Sequence, residues 1–221
     1  MVCTSSERRA GYPADGVDRE VHAGTSTGAP NLDERPAKMP NMELQVRRIG
    51  PNDASLLRDL RLRSLSDAPE AFGQPLDDAV ARPEAEWTAQ ARAASKGDRR
   101  AWFIAEATKP AEPTRASDPV GIVLVRRRPP DVALVFSMWV DPRARRAGVG
   151  RALIDAASEW AAAWGARQVV LWVVASNAAA FRFYQRLGFT WLEAGPDADS
   201  GRAYGALAMT RPIADGRVRT P

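Results

Sequence analysis

The chain has 221 residues, 45% of them hydrophobic, and its 31 basic and 27 acidic side chains give a formal net charge of +4. This length and composition favour one folded domain with flexible ends. No apolar run is long enough to cross a bilayer, and the N-terminus lacks the apolar core of a secretion signal, so we expect a cytoplasmic protein without a membrane partner. The single cysteine, Cys3, excludes internal disulfides and a cysteine-based metal cluster, and we expect no metal site.

The first 41 residues are rich in Gly, Pro, Ser, Thr and charged residues and show no sustained hydrophobic periodicity. Such composition cannot bury enough apolar surface to fold, so we expect a disordered tail over 1–41, a folded domain over 42–213 and a flexible tail over 214–221. The only histidine, His22, lies in the N-terminal tail. Histidine is therefore removed from the candidate catalytic bases of the domain.

Hydrophobic periodicity, helix-start signals and turn residues predict strands and helices in alternation along the domain. The predicted strands cover 43–49, 101–107, 119–125, 132–140, 167–174, 189–193 and 203–209. The predicted helices cover about 53–67, 83–95, 150–163 and 178–187. The predicted loops are 69–80, an exposed segment at 108–118, a hairpin connection at 126–131, and 195–201.

The stretch from Ser137 to Leu153 is the most informative part of the chain. An apolar strand ends at Asp141-Pro142, and the pattern Arg145-x-x-Gly148-x-Gly150 leads directly into a helix. A helix N-terminus has unpaired backbone N–H groups and partial positive charge, which suit a phosphate or pyrophosphate. Glycine permits positive φ and the close approach of ligand oxygens. An ordinary strand–loop–helix connection remains the alternative.

A second stretch, Leu171–Phe189, begins in an apolar run typical of a strand buried on both faces. Ser176 or Asn177 can cap the following helix, which carries Phe183-Tyr184 and ends at Leu187-Gly188-Phe189. Together with the first stretch, this block resembles the bacterial members of the GNAT acetyltransferase superfamily. The resemblance implies an α/β (α+β) fold with a mixed, twisted, mostly antiparallel sheet of six to seven strands and helices on both faces.

The resemblance also implies an enzyme that transfers an acetyl group from acetyl-CoA directly to a primary amine of a small molecule or protein. Acetyl-CoA would lie between two splayed central strands, and Tyr184 would act as the general acid that protonates the departing CoA thiolate. Packing against the cofactor is the alternative role of Tyr184, and helix capping is the alternative, or additional, role of Asn177. The implied cofactor-binding residues are Met138, Trp139, Val140, Arg145, Arg146, Ala147, Gly148, Val149, Gly150, Arg151 and Asn177.

The general base has no clear candidate, because the strand before the glycine turn contains no carboxylate. Glu106 on an earlier strand, the loop residues Glu70, Asp77 and Asp78, and water alone all remain open. Acidic residues in the two loops expected to border the acceptor pocket favour a cationic amine. These residues are Asp77, Asp78, Asp197 and Asp199.

Two other function classes stay open beside the acetyltransferase. One is a catalytically silent acyl-CoA-binding sensor or interaction module, which the missing strand carboxylate favours and Tyr184 opposes. The other is an arginine-rich nucleic-acid binder, based on the clusters at 126–128 and 143–151. Aromatic side chains suited to base stacking do not interleave with the first cluster, and CoA phosphates account better for the second, so we expect no nucleic-acid partner. The sequence leaves a homodimer open.

Overall fold

The structure is a computed structural model that describes residues 43–108, 117–193 and 205–213. The two predicted tails, the predicted loop at 195–201 and most of the one at 108–118 lie outside the described residues. None of the described helices is both long enough and apolar enough to cross a membrane.

Seven strands form one sheet in the order β1-β2-β3-β4-β5-β7-β6. Every neighbouring pair is antiparallel except β4 and β5, which are parallel. This confirms the predicted mixed, mostly antiparallel sheet. The strands are β1 Glu43–Arg48, β2 Arg100–Thr108, β3 Asp118–Arg128, β4 Val132–Val140, β5 Gln168–Val174, β6 Thr190–Trp191 and β7 Ala206–Pro212.

Helices cover both faces of the sheet, as predicted. They are α1 Ala54–Asp67, α2 Leu76–Val80, α3 Glu84–Ser95, α4 Val149–Ala163 and α5 Ala178–Arg186. On one face, α1 and α3 bury Leu57, Leu60 and Trp87 against the sheet. On the other face, α4 buries a stripe that includes Leu153 and Ile154, and α5 packs beside it. These two apolar layers stabilise the domain by removing large side chains from water.

Three predicted elements differ from the structure. The segment 69–80 is not a plain loop, because α2 forms there and buries Ala79 completely in the core. The predicted strand at 189–193 is reduced to β6. The arginines at 126–128 belong to β3, where their backbones pair with the start of β4, so the connection is only the turn at 129–131. Arg127 forms an ion pair with Asp98, which makes this cluster part of the fold.

The central strands β4 and β5 separate part of the way along the sheet. Their register runs only from Val132 opposite Gln168 to Leu134 opposite Val170. Beyond that point β4 stays paired with β3, and β5 stays paired with β7. A bulge adds one residue to β4 near Ser137, whose φ is 51°. Bulges bend a strand away from its neighbour, and the result here is an open cleft between β4 and β5.

Candidate active site

A cleft of about 730 Å³ lies where β4 and β5 separate. One side, which we call the cofactor side because the sequence predicts the cofactor there, is formed by the end of β4 after the bulge and by α5, and includes Met138, Asn177 and Tyr184. The other, which we call the acceptor side, is formed by α1, the segment after it, the hairpin end of β3 and the facing parts of β4 and β5, with Arg61, Phe72 and Arg128. Two ligands can therefore meet where the strands diverge, one arriving from each side.

The turn between β4 and α4 leaves a group of backbone donors free. Gly148 is the residue before α4, and its φ of 86° is one that glycine adopts without strain. A Cβ at Gly148 would meet no described atom within 4 Å, so this position is open. Several N–H groups find no acceptor within the described ranges, namely those of Arg146, Gly148, Val149, Gly150 and Arg151. Unpaired N–H groups at a helix N-terminus are the donors that the predicted anion site would need.

Gly150 is required for packing. A Cβ at this position would lie 2.8 Å from Cζ of Phe183 on α5 and 3.4 Å from Cε of Met138 on β4. The absence of a side chain lets α4, α5 and β4 come together, which the sequence interpretation missed. Because Met138 lines the cleft and its methyl lies against Gly150, this contact joins the cleft to the turn before α4.

The side chains of Arg145 and Trp139 are held by the end of α1. Arg145 donates to the Asp67 carboxylate and to the carbonyl of Val140, the latter at 3.1 Å. The indole N–H of Trp139 donates to the same carboxylate at 2.9 Å. Both were predicted as cofactor contacts, and the structure uses their side chains to fix the turn. Arg146 and Arg151 are exposed beside the free N–H groups.

Asp141 fixes the start of the same turn. Its buried carboxylate accepts hydrogen bonds from the backbone N–H and guanidinium of Arg143 and from Arg63 on α1. Burial opposes ionisation, but the hydrogen bonds from the two arginines outweigh it and lower the pKa of Asp141 to about 2. The turn is therefore anchored to α1 by two carboxylates, Asp141 and Asp67.

Tyr184 lies in the cleft and is 7% exposed. Its ring makes edge contacts with Phe183 and Phe189, at centroid distances of 5.0 and 5.6 Å. No hydrogen bond to its hydroxyl is found in the described part of the chain. Burial raises the pKa of the phenol, so the side chain stays protonated in the cleft.

Asn177, and not Ser176, caps α5. The Asn177 side-chain oxygen accepts from the backbone N–H of Ala180 at 3.0 Å, which confirms the predicted capping role. The same side chain lines the cleft. Its amide nitrogen makes no hydrogen bond to a described residue, so one side chain can cap the helix and also meet a ligand.

The predicted base candidates do not line the cleft. Glu106 is 9% exposed and forms an ion pair with Arg47 at 3.0 Å. Glu70, Asp77 and Asp78 are also absent from the cleft wall. Among the described residues, no acidic or histidine side chain lines the cleft. The expectation that Asp77 and Asp78 make the acceptor side acidic is therefore wrong, while Asp197 and Asp199 lie outside the described residues.

The acceptor side carries two arginines that the sequence interpretation did not identify. Arg61 comes from α1 and Arg128 from the end of β3. A signal for Arg61 is present in the sequence, because Arg61 falls four residues after Leu57 and four before Leu65. Both leucines are buried, so Arg61 shares the inward face of the helix. A charged residue within an apolar stripe is unusual and points to a special environment.

Comparison with known proteins places the chain in a family. Residues 62–189 match the sequence model of the Acetyltransferase (GNAT) family. An uncharacterized N-acetyltransferase of Methanocaldococcus jannaschii is 48% identical over 59 residues, which are 27% of this chain and 26% of that protein. A mycothiol acetyltransferase of Thermobispora bispora is 32% identical over 137 residues, 59% of this chain and 41% of that protein. The chain thus matches less than half of the length of these curated relatives.

Solved structures share the fold. A GNAT-family acetyltransferase from Streptococcus pneumoniae superposes with a TM-score of 0.57 and 23% identity, covering 77% of this chain and 99% of that one. The PaiA N-acetyltransferase of Thermoplasma acidophilum, solved in complex with coenzyme A, gives a TM-score of 0.57 at 12% identity, covering 77% and 99%. Because the family match spans more than half of the 221 residues, the chain belongs to the GNAT acetyltransferase family.

Proposed function

We propose that the protein transfers an acetyl group from acetyl-CoA directly to a primary amine. The observation that carries the proposal is the cleft between β4 and β5, which connects through Met138 and Gly150 to a helix N-terminus with free N–H groups. A thioester in the cleft and a pyrophosphate on the turn match these two features. The names of the relatives, N-acetyltransferase and mycothiol acetyltransferase, support acetyl transfer.

On the cofactor side, separate groups of the protein would hold separate parts of acetyl-CoA. The free N–H groups at the start of α4 would hold the pyrophosphate, and Arg146 and Arg151 would add positive charge from the surface. Beyond Leu134, β4 has no strand neighbour on the β5 side, so its backbone can pair with the amides of the pantetheine arm. Asn177 would donate its amide N–H to the same arm.

The chemical step needs a nucleophile, a polarised carbonyl and an acid. The lone pair of the neutral amine attacks the thioester carbonyl carbon, the C–S bond breaks, and the CoA thiolate leaves with that electron pair. Tyr184 donates its phenolic proton to the thiolate, the amine nitrogen gives up its extra proton to water, and Tyr184 takes up a proton from solvent before the next turnover. Holding the amine and the thioester together supplies much of the acceleration. A backbone N–H at the β4 bulge would stabilise the developing oxyanion.

Binding of acetyl-CoA at the turn is tested by one pair of glycine variants. Gly148 and Gly165 have φ of 86° and 87° and open space where a Cβ would stand, and they lie before and after α4. Aspartate tolerates this backbone region better than most residues. In Gly148→Asp the new carboxylate would stand in the place of the phosphate, whereas in Gly165→Asp it would lie at the far end of the helix.

We expect acetyl-CoA to raise the melting temperature of the wild type and of Gly165→Asp, because a ligand that binds only the native state stabilises it. Gly148→Asp should weaken acetyl-CoA binding by about tenfold or more through like-charge repulsion. Equal shifts in both variants would remove the turn from the site. A shift without release of CoA thiol across an amine library would instead support a silent acyl-CoA-binding module.

A further inference from the structure

Arg61 is a buried cation without a carboxylate partner in the described chain. Its side chain lines the acceptor side of the cleft and the residue is 5% exposed. The guanidinium donates to the Ser64 hydroxyl at 3.3 Å and to Oε1 of Gln74 at 2.9 Å, and it lies 5.1 Å from the ring of Phe72. All three partners are neutral.

This environment is costly for a charge. A buried ion is normally compensated by a counter-ion, and neutral hydrogen bonds compensate it only in part. Burial lowers the pKa of Arg61 to about 10, and the nearby positive charge of Arg82 contributes in the same direction. At neutral pH the side chain is still protonated. Of its five N–H donors, two are used by described residues, so the guanidinium can still bind a planar anion with the others.

The rest of the acceptor side is apolar and basic. Phe136 and Trp172 stack at a centroid distance of 5.4 Å across the separated strands. Phe72 and Leu134 also line the cleft, as does Arg128, which is already engaged by an interaction within the chain. Within the described residues no acidic side chain lines this wall. A cationic acceptor would find no charge complement here, while an anionic group on an apolar body would.

We propose that the amine acceptor carries a carboxylate on an apolar or aromatic body, and that Arg61 binds this carboxylate. A single guanidinium without a counter-ion calls for one negative charge, which a carboxylate supplies, whereas a phosphate monoester carries nearly two. The planar guanidinium can also donate two parallel N–H bonds to the two carboxylate oxygens. This inference rests on the proposed acetyl transfer, because only that reaction makes the ligand an acceptor. Binding of a carboxylate by Arg61 does not itself require turnover.

The test is titration calorimetry of the full chain with two isosteric probes that cannot be acetylated, 3-phenylpropanoate and 3-phenylpropanamide. We expect the carboxylate to bind the wild type at least about tenfold more tightly than the amide. Equal affinities, or a preference for the amide, would overturn the inference. Phenylethyl phosphate as a third probe decides between carboxylate and phosphate, and tighter binding of the phosphate would overturn the assignment of a carboxylate.

Two variants separate binding from a structural role of Arg61. Arg61→Met should abolish the preference for the carboxylate probe while leaving the melting temperature unchanged or higher, because it removes an uncompensated buried charge. If Arg61 only held Gln74 in place, Arg61→Met would lower the melting temperature and weaken the binding of both probes equally. Should Arg61→Met not fold, Arg61→Lys keeps the charge but loses the planar guanidinium. Its preference for the carboxylate probe over the amide probe should fall several-fold.

A turnover experiment distinguishes failure of this inference from failure of the proposed function. CoA thiol release is measured with phenylalanine, phenylalaninamide and a polyamine, each rate expressed per deprotonated amine. Preference for phenylalanine supports both proposals, and preference for the amide or the polyamine contradicts the carboxylate subsite alone. Carboxylate binding without any turnover contradicts the proposed acetyl transfer and leaves the anion subsite in place.

Discussion

The two sides of the cleft use arginine in opposite ways. On the cofactor side, Arg145 and Arg143 bind carboxylates of the chain itself, Asp67 and Asp141. The backbone N–H groups there stay without acceptors among the described residues, and we propose that they bind an anion. On the acceptor side, Arg61 contacts only neutral groups and faces the cavity. An arginine whose charge is already neutralised supports the structure, whereas one without a counter-ion is available for recognition.

The contrast is sharpest between Arg61 and Arg63, which are neighbours on α1. Residues two apart on a helix point to different faces. Arg63 lies over the ring of Trp139 at 5.3 Å and binds the carboxylates of Asp141 and Asp59. Arg61 points into the acceptor side. The same helix thus anchors the cofactor turn with one arginine and offers the other to a ligand.

The largest expected effect belongs to Tyr184, where the two sides meet. Tyr184→Phe should lower kcat by about 10²-fold, because the thiolate would leave without a positioned acid. The edge contacts with Phe183 and Phe189 need only the ring, so acetyl-CoA affinity and stability should stay at wild-type levels. Steady-state kinetics with calorimetric binding of acetyl-CoA make the measurement.

The pH profile adds a second readout for Tyr184. Since its pKa is raised, the phenol stays protonated above its ordinary value near 10, and Tyr184 should cause no alkaline fall in kcat below that pH. Unchanged turnover of Tyr184→Phe at every pH would leave this tyrosine with a packing role only.

A somewhat smaller effect is expected at Asp141, which neutralises arginines on the cofactor side. Asp141→Asn should reduce the free energy of unfolding at pH 7 by about 2–3 kcal/mol, because the folded protein holds the pKa of this carboxyl at about 2, well below its ordinary value. The matched control is Asp59→Asn, which removes the exposed partner of the same Arg63 and should change stability by less than about 1 kcal/mol.

The sign of the pH dependence follows from the depressed pKa of Asp141. The unfolded carboxyl titrates near 3.9 and the folded one at about 2, so the stabilisation is complete above about pH 5 and is lost as the pH falls from there through 2. The difference between wild type and Asp141→Asn in denaturant unfolding should therefore shrink from pH 4 to pH 2. The stability loss of Asp141→Asn could instead be constant with pH, or equal to that of Asp59→Asn. Either result would remove the distinction between paired and unpaired arginines.

The cofactor side could largely be predicted from sequence because its parts are close along the chain. β4, the glycine turn and the start of α4 lie within residues 132–151, so strand periodicity, a proline and glycines identify them together. Asn177 as a cap was equally local. The role of Gly150 was not accessible, because it depends on Phe183, more than thirty positions away.

The acceptor side could not be assembled from sequence because distant segments form it. Arg61, Phe72, Arg128 and Trp172 come from four separate elements or connections, and only the folded sheet brings them together. Charge counting failed for the same reason. Asp77 and Asp78 lie in the expected loop, but the short helix that forms there buries Ala79 and keeps both carboxylates out of the cleft wall.

The smallest effect is expected at Asn177, where capping and ligand binding can be separated on one side chain. Asn177→Ala should cost about 1 kcal/mol of stability through loss of the hydrogen bond to Ala180, and should also weaken acetyl-CoA binding. Asn177→Asp keeps an oxygen that accepts from Ala180 but removes the amide donor. Thermal unfolding and calorimetry on both variants give the two quantities independently.

If Asn177 holds the pantetheine arm, Asn177→Asp loses several-fold in acetyl-CoA affinity at unchanged stability. If it is only a cap, Asn177→Asp matches the wild type in both, and recognition of acetyl-CoA on this side rests on the backbone alone.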